Sequence, residues 1–135
     1  MITLIDSSLW VDFTRARSPR RLKQFLAPYI LDPTAHLSEP VRHEVLRHAI
    51  PDEMGRLRQQ LDTIPMLSTP ENLWERATIL GQVCRGKGQS AGSLDLLIAT
   101  VALAHDAVLV TLDEEFGKIA KYTDLRVKVL RRPTA

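Results

Sequence analysis

Ala107-Val108-Leu109-Val110-Thr111, followed at once by Leu112-Asp113, is the stretch on which the fold turns. It is a short, uninterrupted apolar run of mostly β-branched type. Runs of that length without alternation mark strands covered on both faces, as in parallel sheets. A second such run, Ile2-Thr3-Leu4-Ile5, stops just as abruptly at Asp6-Ser7-Ser8. Helical patterns separate the two. Leu9, Trp10 and Phe13 recur at helical spacing, and Pro19 opens a second helix with Leu22, Phe25 and Leu26 on one face. Thr34 to Leu37 is a candidate short strand. Ser38, with Glu39 and Pro40 in the first turn, caps a helix carrying Val41, Val45 and Ala49. Further helices start at Pro51 and run through Leu73, Ala77, Leu80 and Cys84. Ser93 to His105 is strongly apolar, Phe116 to Ala120 is short, and Arg126 to Leu130 alternates like a half-exposed terminal strand. Strands separated by helices predict an α/β, three-layer α/β/α sandwich with a short parallel central sheet and a helical insertion over about 38–85.

Composition fits one globular domain over 1–135. The chain has 135 residues, 44% hydrophobic and 25% charged, which excludes a disordered chain. No apolar run reaches the ~18 residues of a membrane span. The start, Met1 to Asp6, lacks the basic segment of a secretory signal. The single cysteine, Cys84, can form neither an internal disulfide nor a cysteine-based zinc site, so a cytoplasmic setting is expected. Cys84 continues the Leu73, Ala77, Leu80 stripe and is expected in the core. Aromatics at 5% argue against stacking platforms for single-stranded bases. A net charge of +2 decides nothing by itself.

Four acids carry the chemistry. In open α/β sheets, ligands bind beyond the carboxyl ends of the strands. Asp6 and Asp113 each follow a strand, and Asp95 lies in the first turn of an apolar helix among Leu94, Leu96, Leu97 and Ile98. Glu44 sits about 60° from Val41 on a helical wheel, at the border of the buried stripe. Each acid also has a plain structural role available. Asp6 can cap the first helix. Asp95 can follow a Ser93 cap, and Asp113 can follow a Thr111–Glu114 capping box. Glu44 can be solvated. From Ser90 through Gly117 there is no Lys or Arg to neutralise Asp95, Asp113, Glu114 or Glu115. Converging carboxylates without local cations suit a hard divalent ion, Mg²⁺ or Mn²⁺, better than zinc.

The ordered blocks Ile5-Asp6-Ser7-Ser8-Leu9-Trp10, Glu44-Val-Leu-Arg-His-Ala49, Gly88 with Ser93-Leu-Asp95-Leu-Leu-Ile-Ala-Thr-Val-Ala102, and Val110-Thr-Leu-Asp113-Glu-Glu-Phe116 resemble a PIN-domain ribonuclease of the VapC toxin type. The resemblance covers nearly the whole chain. It implies a Mg²⁺-dependent endoribonuclease that leaves 5′-phosphate and 3′-hydroxyl ends. It also implies a cognate VapB-like antitoxin, whose tail packs over the acidic pocket, and a homodimer. The resemblance makes Asp6, Glu44, Asp95 and Asp113 the catalytic acids, with Asp6, Asp95 and Asp113 on the metal. Ser8, Ser93 and Glu115 take supporting positions, and Glu39 rivals Glu44.

Arg15, Arg17, Arg20, Arg21 and Lys23 form the densest basic segment and are candidates for RNA phosphates, against the alternative of a solvated helix start. Arg85 and Lys87 are a second segment. Leu9, Trp10 and Phe13 belong to the core or, alternatively, to a dimer or antitoxin contact. Two other functions stay open. One is a PIN-fold RNA-binding or RNA-processing protein that is not a toxin. The other is a metal-independent ribonuclease using His43, His48 or His105 as acid and base. A haloacid-dehalogenase-like phosphatase needs a second acid two residues after Asp6, where Ser8 stands. A phospho-receiver domain needs its acceptor acid after a mid-chain strand, and Asp52 is poorly placed for that.

Overall fold

The computed structural model describes residues 1–134. Both apolar runs are strands, β1 (Thr3–Ile5) and β3 (Val108–Thr111), and they lie side by side. They pair in parallel with Thr3 opposite Val108 and Ile5 opposite Val110. β2 (Ala35–His36) joins the other edge of β1, and β4 (Arg126–Val129) joins β3. The sheet is therefore four parallel strands in the order β2-β1-β3-β4. The chain leaves β1 toward β2 on one side and pairs with β3 on the other. The switch point of the sheet thus falls between β1 and β3, where crevices for ligands form.

Among the described residues, seven α-helices cover the faces: α1 (Ser7–Thr14), α2 (Arg20–Ile30), α3 (Glu39–Arg47), α4 (Met54–Asp62), α5 (Leu73–Gly86), α6 (Ser93–Ala104) and α7 (Glu114–Lys121). A 3-10 turn, Pro51–Glu53, precedes α4. The architecture is the expected three-layer α/β/α sandwich. The excursion of α3 to α6 between β2 and β3 contains the expected helical stretch. Leu4, Ile5, Leu109 and Val110 form the centre of the core, with Leu26, Val41, Ile98, Val101 and Phe116 over the two faces. Burying each such side chain contributes about 1.5–3 kcal/mol.

Local chemistry sets the joints. Ser38 Oγ accepts from the Val41 amide and caps α3, as its sequence context predicts. Gly81 lets α5 approach α6, since a Cβ there would sit 2.9 Å from Leu96 Cδ1. Gly88 has φ +77°, a left-handed conformation that ends the α5 segment at little cost for a residue without Cβ. Cys84 is fully buried, and burial pushes its thiol up. Leu9 and Trp10 are core residues and Phe13 packs against the core, so Leu9 and Trp10 are not available for the contact surface considered above. Among the described residues, no helix is long and apolar enough to cross a membrane.

Candidate acidic active site

Asp6, Glu44, Asp95 and Asp113 come from four separate segments and line one cavity of about 320 Å³. The strand ends explain two of them. Asp6 leaves β1 and its amide bonds to Val110 O of β3 at 2.9 Å, so the two strand ends are locked together. Asp113 follows β3 after one intervening residue, Leu112. α6 brings Asp95 in its first turn, and α3 brings Glu44.

Asp6 is 2% exposed. It occupies the cap position of α1 but makes no side-chain cap bond, so its carboxylate is turned to other partners. Thr111 Oγ1 donates to Asp6 Oδ2 at 2.7 Å, and Ser8 Oγ donates to the same oxygen at 2.8 Å. Thr111 Oγ1 in turn accepts from the Asp113 amide at 2.9 Å, and Ser8 Oγ accepts from the Leu112 amide at 3.0 Å. One hydroxyl pair therefore ties the end of β3 to the first acid. Burial raises the Asp6 carboxyl above its ordinary range, opposed by the Thr111 and Ser8 hydroxyls. Ser7 Oγ donates to Glu44 Oε1, and Arg47 lies 3.8 Å from Glu44 Oε2.

Asp95 is pushed up to about 6, first by burial and then by the charges of Asp113, Asp6, Glu44 and Glu115. Burial is the larger cause, and the facing carboxylates add to it. Asp6, Asp95 and Asp113 have no side-chain ion pair among the described residues, so the cavity carries negative charge that a hard cation would offset. Among the described residues, no three His, Cys, Asp or Glu groups form a preformed metal cage. Mg²⁺ does not need one, since it keeps several waters and binds through one or two carboxylates. The donor set, all oxygen and partly wet, fits such an ion.

Several expectations change. Asp113 is itself the N-cap of α7, its Oδ1 accepting from the Glu115 amide at 2.9 Å. The Thr111–Glu114 capping box does not form, because the Thr111 hydroxyl is committed to Asp6 and Asp113. Ser93 is not a cap: Gly92 holds that position, and Ser93 is the exposed first residue of α6. Its cavity, of about 700 Å³, is shared with Glu39, His43 and Trp74 rather than with the four acids. Glu39 is exposed there, so Glu44 alone of the two faces Asp6. Glu115 does have a cation, Lys118 at 2.9 Å, just beyond the cation-free window, and Gln89 Nε2 donates to it at 3.3 Å.

Of the basic segment, Arg15 lines the acid cavity. Arg15 and Arg17 lie in the loop after α1, where an adjoining pocket of about 390 Å³ shares Val11, Arg15 and His48 with the acid cavity. Arg20 and Arg21 are exposed in the first turn of α2, and Lys23 follows half-buried. The histidines do not converge. His48 lines the acid cavity, His43 the cavity of Ser93, and His105 accepts or donates at Ser68. Among the described residues, no acid–base pair of imidazoles is assembled. Sequence reasoning missed Thr111 as the hub of the site, and it missed Asp12 and Arg132, which also line the cavity; His48, considered there only as an acid–base candidate, lines it too. For Asp12, the i, i+4 spacing from Ser8 on α1 is the available signal.

Comparison with known proteins bears on the family and the fold. The pattern of the PIN domain matches residues 3–122. A protein named VapC ribonuclease Mb1587, of Mycobacterium bovis, is 31% identical over 137 aligned residues, covering 95% of this chain and 98% of that protein. Among solved structures, FitAB bound to an IR36 DNA fragment contains a chain that superposes with a TM-score of 0.74 at 19% identity, covering 96% of this chain and 94% of that one. VapBC2 from Rickettsia felis, bound to a DNA fragment from its promoter, gives 0.71 at 20% identity, covering 96% and 99%.

Proposed function

This chain belongs to the PIN-domain family, and on that premise we propose that it is a Mg²⁺-dependent endoribonuclease, the toxin of a type II toxin–antitoxin pair. The observation that carries the reading is the convergence of Asp6, Glu44, Asp95 and Asp113 on one cavity from four separate segments. Burial and the neighbouring acids raise the Asp95 carboxyl accordingly. Asp6, Asp95 and Asp113 would hold the ion, with Mn²⁺ as an alternative, and Glu44 would complete the acid set. Such an ion would supply an activated water and charge neutralisation on the scissile phosphate.

The chain's own residues supply the orientation. Thr111 and Ser8 fix Asp6 in one rotamer through their shared hydrogen bonds. Ser7 does the same for Glu44. Arg15 faces the phosphates, with Arg17, Arg20, Arg21 and Lys23 continuing away from the cavity. Ser93 and Glu115 stay outside the reaction: Ser93 faces another cavity, and Glu115 is held by Lys118 and Gln89.

A VapB-like antitoxin is the proposed partner, a homodimer the proposed assembly, the cytoplasm the proposed location, and 1–135 one nuclease domain. Exposed Ile79 and Val83, four residues apart on α5, support a contact between copies. The test is cleavage of single-stranded RNA with end-group analysis, with Mg²⁺ and with excess EDTA. Products with 5′-phosphate and 3′-hydroxyl ends, lost in EDTA, support the reading. A 2′,3′-cyclic phosphate formed in EDTA rejects it in favour of imidazole chemistry.

A further inference from the structure

The acid cavity contains two guanidinium groups, and one of them lies far from the basic segment in sequence. Arg132, three residues beyond β4, lines the cavity beside Asp6, Asp95 and Asp113. Two observations fix it there. Leu130 N donates to Thr111 O at 2.7 Å, which clamps the start of the C-terminal arm to the end of β3. Arg132 Nε donates to Asp12 Oδ2 at 2.8 Å. Asp12 lies one turn after Ser8 on α1, so one helix face holds both the hydroxyl on Asp6 and the carboxylate on Arg132.

The exposures differ in a telling way. The Asp12 side chain is 14% exposed and that of Arg132 is 55% exposed. The anchor is sheltered and the guanidinium is open. Pairing through Nε leaves the fork of terminal nitrogens, which among the described residues have no hydrogen-bond partner. Such a fork matches the geometry of a phosphate better than an ammonium does. A phosphodiester strand approaching Asp6, Asp12, Glu44, Asp95 and Asp113 meets a strongly negative wall. Arg15 and Arg132 are the cations among the residues lining that cavity.

We propose that Arg132 is an RNA-binding residue of this site, taking a backbone phosphate next to the one cleaved, with Asp12 as its positioning residue. The inference rests on the ribonuclease reading above. An ion pair that merely tethers the arm is the competing account, and it requires no effect on RNA.

The experiment uses the full chain and a fluorescein-labelled, single-stranded RNA of mixed sequence. Binding is followed by anisotropy across a salt series in an Asp6→Asn background. Arg132→Ala weakens binding about tenfold, as the loss of a hydrogen bond to a charged group implies. It also lowers the slope of log affinity against log salt by about 0.7, one phosphate contact on a single strand. Arg132→Lys restores the slope but not the full affinity. Asp12→Asn keeps the slope and weakens binding severalfold, because the charge remains while its orientation is lost. Arg126→Ala, at the opposite end of the strands, changes neither. With Asp6 restored, Arg132→Ala raises KM more than it lowers kcat. An unchanged affinity and slope in folded Arg132→Ala overturns the proposal, and so does a failure of the Asp6→Asn protein to bind RNA. If the Arg132 effects hold but the natural chain cleaves no RNA with Mg²⁺ or Mn²⁺, the ribonuclease reading falls and the RNA contact stands.

Discussion

Asp95→Asn is expected to make the metal-free protein more stable at neutral pH, although it removes a proposed ligand. In the folded chain the Asp95 carboxyl titrates at about 6 rather than at an ordinary 3.8. Between those values the folded state holds the proton more tightly than the unfolded state, so stability falls as pH rises through that window. Two units correspond to about 3 kcal/mol. Asp95 is only half-buried, and solvent screens its neighbours, so about 1–1.5 kcal/mol is the realistic cost of its charge. The first turn of α6 returns about 0.3–0.5 kcal/mol through the helix dipole. The net gain from the amide is then about 1 kcal/mol, or about 3–5 °C in Tm.

Thermal unfolding at pH 7.5 in EDTA reads that gain, and repetition at pH 4 removes most of it, because the folded-state carboxyl is then almost wholly protonated and no longer carries the buried charge. Mg²⁺ at ten times its Kd stabilises the natural chain by about 1.4 kcal/mol. The variant gains less, so the order closes or reverses with the ion. A variant less stable than the natural chain at pH 7.5 in EDTA refutes the electrostatic account. An advantage that persists undiminished at pH 4 refutes it equally.

Asp6→Asn abolishes RNA cleavage and leaves far-UV dichroism unchanged, since its carboxylate caps nothing in α1. Thr111→Val removes the donor to Asp6 and the acceptor for the Asp113 amide. It costs about 1–3 kcal/mol in urea unfolding and lowers kcat. Arg15→Ala raises KM for RNA more than the Arg20→Ala, Arg21→Ala pair does, because Arg15 alone of the three lines the acid cavity. Cys84→Ser places an unpartnered hydroxyl in the core and costs about 1–3 kcal/mol, measured by urea unfolding, with kcat unaffected.

What was legible in the sequence follows from how the information is carried. A strand buried on both faces needs a continuous apolar run, and the first acid after it marks the strand's carboxyl end. Asp6 and Asp113 could therefore be assigned to one crevice before any coordinates. Asp95 stood out because an acid among four aliphatic neighbours has few bland roles. The roles of Ser93 and Thr111 were not legible. Whether a serine is a cap or the first helical residue depends on the φ and ψ of its neighbour, and Gly92 takes the extended conformation here. Thr111 and Glu114 have capping-box spacing, yet the hydroxyl is claimed by Asp6, 105 residues earlier. Arg132 and Asp12 are 120 residues apart, and no local pattern links them. Strand pairing alone brings these partners together. Two acids of this site, Asp6 and Asp113, are thus a property of the strand ends, and Asp95 and Glu44 of single helices, so each is readable from its own segment. The hydroxyls and cations that orient them are a property of the sheet order β2-β1-β3-β4. A chain that kept all four acids but altered that order would keep the ligands and lose Thr111 from Asp6. It would retain the repulsion that raises Asp95 only where topology still gathered the acids.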